Sequence, residues 1–118
     1  MASRACCDKV TEPPAFLHRV VARYVRAFAP QCIMLFGSYA KGTNGPDSDV
    51  DLLVIADLCG DPIFHLRRAR QLAADCFPPV DVVFATAEEI ASAPTAKSPF
   101  LLSILEKGVI VYRRRRES

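Results

Sequence analysis

The chain of 118 residues contains no tryptophan, only two histidines, and five cysteines that never fall at Cys-x-x-Cys spacing. His18 and His65 stand at no ligand spacing from a cysteine, so a zinc knuckle is not expected. Cys6, Cys7, Cys32, Cys59 and Cys76 are odd in number, which excludes a fully paired disulfide framework. No apolar run approaches the ~20 residues that cross a bilayer. Met1 to Val10 carries Arg4, Asp8 and Lys9 in place of an apolar signal segment, so a cytoplasmic protein without membrane association is expected. Charge of one sign is lacking as well. The net charge is +2, but Arg113 to Arg116 with Glu117 supply +3 of it, and residues 1–112 hold 11 basic against 12 acidic side chains. Direct nucleic-acid binding is therefore not expected, since such surfaces are strongly basic.

What is present is a 51% hydrophobic composition, too apolar for a disordered chain and the right size for one compact domain. The charge pattern divides it into a domain over 1–112 and a basic tail over 113–118. Pro13-Pro14 opens a helix whose Leu17, Val20, Val21, Tyr24 and Phe28 recur at three- and four-residue steps, and Pro30 ends it. Cys32 to Phe36 and Val50 to Ile55 read as buried strands. Between them, Gly37 to Asp49 is loop chemistry with one short helical turn at Ser38 to Lys41. Asp61-Pro62 caps a helix running to about Cys76, and a third strand follows at Val80 to Phe84. Thr86 with Glu89 forms a capping box, Ser98-Pro99 opens a last helix that Gly108 closes, and Val109 to Tyr112 is the fourth strand. Strands interleaved with helices, without repeats, predict an α/β (α+β) fold: a small mixed sheet of about four strands covered by helices.

Against this apolar background the carboxylates stand out. Asp49 and Asp51 occupy positions i and i+2 of a strand, so they project to one face roughly 6.7 Å apart at the backbone. Asp81 repeats the anomaly between Val80 and Val82. Like charges so placed repel unless a cation neutralises them, and oxygen-only ligands suit Mg²⁺ or Mn²⁺. Three such carboxylates could hold two divalent ions about 4 Å apart, the arrangement that serves phosphoryl and nucleotidyl transfer. A single strand aspartate is otherwise an exposed or capping residue, so Asp81 gains meaning only beside the other two. Gly37-Ser38, directly after the first strand, supplies a phosphate cradle of backbone N–H groups and a hydroxyl. Gly37 to Gly42 has the outer spacing of a Walker A loop, but Thr43 stands where that motif requires lysine, which excludes a P-loop. Lys41 and Lys9 are the candidate phosphate cations.

Gly37-Ser38, ten intervening residues and Asp49-Val50-Asp51, framed by Ile33–Phe36 and Leu52–Ile55, resemble the signature of the DNA polymerase β-like nucleotidyltransferase superfamily. Within it, Phe36-Gly37-Ser38-Tyr39-Ala40-Lys41-Gly42 and Pro46-Asp47-Ser48-Asp49-Val50-Asp51-Leu52-Leu53-Val54 are similar to the minimal nucleotidyltransferase (MNT-domain) family. Tyr39 with Lys41 is a departure, since arginine is frequent there. The resemblance implies a polymerase β-like fold and transfer of AMP from ATP. It implies two Mg²⁺ ions on Asp49, Asp51 and Asp81, which are also the catalytic residues, and nucleotide contacts from Gly37, Ser38, Lys41 and Ser48. It further implies an antitoxin whose partner is a helical HEPN ribonuclease toxin from a neighbouring gene, silenced by adenylylation of a tyrosine. The alternative is a non-catalytic nucleotide-binding module that neutralises its partner by docking. Three clustered carboxylates favour the enzyme, and the length leaves no substrate-holding domain, so the acceptor is expected on another molecule.

Overall fold

The computed structural model describes residues 10–37, 49–76, 79–96 and 99–114, the side chains of 93–96 excepted. A 3₁₀ turn at Ala15–Leu17 leads into α1 (His18–Phe28), followed by β1 (Cys32–Phe36), β2 (Val50–Ile55) and α2 (Pro62–Leu72). Then come β3 (Val80–Ala85), α3 (Ala87–Ala96), α4 (Pro99–Lys107) and β4 (Val109–Arg113). The strands form one sheet in the order β3-β2-β1-β4. β1 is antiparallel to β2 and to β4, while β2 is parallel to β3. This is the expected mixed α+β sheet. A parallel pair cannot be joined by a tight turn, and α2 supplies the crossover.

Both faces of the sheet are covered. Ile33, Leu35, Leu52, Val54 and Val111 pack against Leu17, Val20, Val21, Tyr24 and Phe28 of the first helical layer and against Ala69 and Ala73 of the α2 end. Met34, Leu53, Ile55, Ala85 and Ile110 meet Ile104 of α4 on the other face, with Ile90 of α3 beside them. The alternation along β2 explains the division, because successive side chains point to opposite faces. The Tyr24 hydroxyl is buried and donates to the Ala69 carbonyl at 3.0 Å, joining α1 to α2 without an unpaired polar group. Burial also pushes its pKa well above the usual tyrosine value.

Local chemistry sets the ends of the helices. The Pro13-Pro14 start is realised first as the 3₁₀ turn, and α1 ends at Ala29 in the left-handed region (φ 47°, ψ 53°) just before Pro30. Asp61 accepts from the Ile63 N–H at 3.0 Å, with Pro62 in the first turn of α2. That helix stops at Leu72 instead of reaching Cys76. The Arg23 guanidinium donates to the Leu72 carbonyl at 2.7 Å and to Asp75 Oδ1 at 2.7 Å, so a distant side chain satisfies the helix end. The Thr86–Glu89 capping box is closed in both directions, at 2.9 and 3.0 Å. Ser98 lies outside the described residues. After α4, the Gly108 N–H donates to the Ile104 carbonyl, and a Cβ at 108 would lie 2.7 Å from that oxygen and 3.1 Å from the Leu35 carbonyl. Close approach is what requires glycine there. β4 then extends one residue beyond the expected Tyr112, and the Arg114 N–H donates to the Gln31 carbonyl at 2.9 Å. Among the described residues no helix is long and apolar enough to cross a membrane.

Candidate active site

Three strand ends meet at one edge of the sheet. Because β2 and β3 are parallel, their first residues lie side by side, and Asp51 is the register partner of Asp81. Because β1 is antiparallel to β2, the last residue of β1, Phe36, is the partner of Asp51 on the other side. Gly37 follows at once, with φ at +80°. A side chain on Gly37 would overlap Asp51 Oδ2 and come within 3.2 Å of its Cγ. Glycine is thus required twice here, by the left-handed backbone and by the carboxylate against it.

The charges of the three aspartates interact. Asp51 is half-buried, and its pKa is raised first by desolvation, then by Asp81, then by Asp49. Asp49 sits exposed just ahead of β2, and Asp81 is exposed on β3, so the cost expected of a carboxylate in a core position does not arise at Asp81. Asp51 shares the face of Leu53 and Ile55, as Asp81 shares that of Val83 and Ala85. The donors are all carboxylate oxygens, the hard chemistry that Mg²⁺ takes. Mutual repulsion is the electrostatic condition a bound cation relieves. Among the described residues no three His, Cys, Asp or Glu side chains stand together closely enough to hold a metal ion as they are placed. Ser38, Lys41 and Ser48 lie outside the described residues, as do Lys9 and the turn expected at Ser38 to Lys41.

One neighbour of the site escaped the sequence reading. The Phe36 ring is half-buried and meets the Phe100 ring of α4 nearly at right angles (85°), with centroids 6.0 Å apart. Phe36 reads as core in an apolar run, and Phe100 as one apolar residue of an amphipathic helix. Nothing local in the sequence joins them.

A mixed sheet that gathers a glycine turn and three carboxylates at one edge has the frame of a nucleotidyltransferase. The Polymerase beta, Nucleotidyltransferase family matches residues 20–117, and the chain belongs to that family. A 53-residue stretch, 45% of this chain, is 42% identical to the protein adenylyltransferase MntA of Shewanella oneidensis and spans 38% of that relative's length. Among solved structures, a toxin–antitoxin crystallised with AMP-PNP is similar at 26% identity and a TM-score of 0.54, covering 81% of this chain and 73% of that one. A variant of the MntA-HpeT toxin–antitoxin matches at 25% identity and a TM-score of 0.54, over 80% of this chain and 71% of the other. A Sulfolobus solfataricus structure at 17% identity shares the fold, with a TM-score of 0.55 over 84% and 78% of the two chains.

Proposed function

We propose that this chain is a Mg²⁺-dependent protein adenylyltransferase that acts as the antitoxin to a HEPN-type toxin by moving AMP from ATP to a hydroxyl, a tyrosine by family likeness, of that toxin. The observation that carries the reading is the juxtaposition of Asp51 with Asp81, Asp49 and Gly37 at one sheet edge. Asp49, Asp51 and Asp81 are the residues that would hold Mg²⁺, which when bound supplies charge neutralisation at the triphosphate. The backbone at Gly37 receives the phosphates through N–H groups, and Ser38, Lys41 and Ser48 contribute polar side chains by family likeness. The acceptor oxygen attacks the α-phosphorus, the bond from that phosphorus to the oxygen bridging the β-phosphate breaks, and pyrophosphate leaves. In this reading Asp81, exposed beside Asp51, takes the hydroxyl proton. The relatives support the reading, since one is a protein adenylyltransferase and others are toxin–antitoxin assemblies.

The test incubates the full chain with Mg-ATP and the toxin-like product of its neighbouring gene, then weighs that product by mass spectrometry. One or more added AMP units are expected, and none with Asp81→Asn. A partner that is bound and inhibited but unmodified, with Asp81→Asn equally effective, would establish a docking module instead.

A further inference from the structure

Five large hydrophobic side chains are exposed among the described residues: Val10, Phe16, Ile63, Phe64 and Phe100. Phe16 lies in the 3₁₀ turn before α1, Ile63 and Phe64 lie in α2, and Val10 bridges Ile110 of β4. Val10 is thus on the far edge beyond β4, and Phe100 is the one of the five that a ring contact joins to a neighbour of the site carboxylates. It is 54% exposed at the start of α4 and rests against Phe36, the register partner of Asp51. A partner pair on antiparallel strands is about 5 Å apart at Cα. Asp51, Phe36 and Phe100 are therefore consecutive neighbours across one surface, and the free ring lies on the order of 10 Å from the carboxylates. An exposed aromatic ring at that distance from a phosphate site has the chemistry to stack a nucleobase.

We propose that Phe100 is the base platform of this site, stacking the nucleobase of the nucleotide whose phosphates are held at Gly37 and Asp51. The inference rests on the nucleotidyltransferase reading and adds the substrate preference that goes with it. Phe100 carries no hydrogen-bonding group, so it recognises a π face and not a base edge. Purines, with the larger π surface, should bind better than pyrimidines, and ATP and GTP should differ little through this contact.

Titration calorimetry on the 118-residue chain in Mg²⁺ compares ATP with inorganic tripolyphosphate, which has the phosphates and no base. Phe100→Ala should weaken ATP about tenfold and leave tripolyphosphate unchanged. Phe100→Leu, which keeps an apolar contact to Phe36 but has no ring, should behave the same and serves if the alanine variant folds poorly. Because the protein has no tryptophan, Phe100→Trp provides a sole indole, excited selectively over the tyrosines, that ATP should perturb and tripolyphosphate should not. Unchanged ATP affinity in the alanine and leucine variants, an equal loss for both probes, or a tryptophan signal indifferent to ATP would overturn the platform while leaving the nucleotidyltransferase reading intact. Wild-type protein that binds neither probe would overturn that reading and the platform with it.

Discussion

Asp51 carries its charge at a cost. Partial burial and the charges of Asp81 and Asp49 raise its pKa in the folded state. A carboxyl whose folded pKa lies above its unfolded one favours the protonated form of the native protein. Its contribution is most favourable below the unfolded value, near 3.9, and is lost as pH rises through the folded value. Asp51→Asn removes that loss, so at pH 7 without metal the variant should melt no lower than wild type, and above it if the amide fits beside Gly37. The advantage should fade as pH falls below the unfolded value, about 3.9, where Asp51 is protonated in the folded and the unfolded chain alike. Thermal melts by circular dichroism across pH 3 to 8 check this, and a markedly lower melt at pH 7 would make Asp51 a structural residue. Asp75 has the opposite sign. Its hydrogen bonds from Arg23 lower its pKa, so its contribution is present above the unfolded value and fades as pH falls through the depressed one.

At the scale of the element, short-range chemistry was legible and long-range termination was not. The Asp61-Pro62 cap and the Thr86–Glu89 box were readable because each is complete within four residues. The end of α2 was not, because Arg23, 49 residues away from Leu72, closes it. β4 shows the same limit twice. Its register against β1 slips between Ile33 and Met34, whose partners are Tyr112 and Ile110. Val111 is the extra residue of a bulge, and Val111 and Tyr112 consequently pack toward the same core, which strict alternation does not predict. The strand also continues into the arginine run, where Arg113 pairs with Cys32 and the Arg114 side chain reaches the Ala29 carbonyl at 3.3 Å. A string of arginines has no hydrophobic period, so only the position of β1 fixes where the strand stops. The boundary between domain and tail is therefore open to test. A chain ending at Tyr112 loses ladder contacts to Cys32 and Gln31 and should melt several degrees below one ending at Arg114, at about 1 kcal/mol per backbone hydrogen bond. Equal melting temperatures would return Arg113 and Arg114 to the tail.

Across the whole molecule the sheet separates two electrostatic environments. The α1 and α2 segments carry Arg19, Arg23, Arg26, Arg67, Arg68 and Arg70 against Asp61 and Asp75, while the strand edge and the opposite helices carry Asp49, Asp51, Asp81, Glu88, Glu89 and Glu106 against Lys107. The paired spacing of Asp49 and Asp51 was legible in the sequence, but the meeting of Asp51 with Asp81 is a product of parallel register and required the fold. ATP therefore has two surfaces that could attract it: a basic layer that needs no metal, and an acidic edge that a triphosphate can approach only with a cation. The two are separable by thermodynamics. A ligand spanning the ends of β1, β2 and β3 ties together the strands that global unfolding must separate. It should raise the stability of the whole cooperative unit by RT ln(1 + [L]/Kd), about 2.7 kcal/mol at a hundredfold excess over Kd. For a domain near 100 residues that is on the order of 10 °C in melting temperature. With Mg-ATP the shift should be full and should largely survive added salt, whereas ATP without divalent cation should give a smaller shift that salt screens away. The double variant Asp49→Asn with Asp51→Asn should lose the first and keep the second. If its melt still rises fully with Mg-ATP, the metal is held elsewhere and the arginine layer becomes the nucleotide surface.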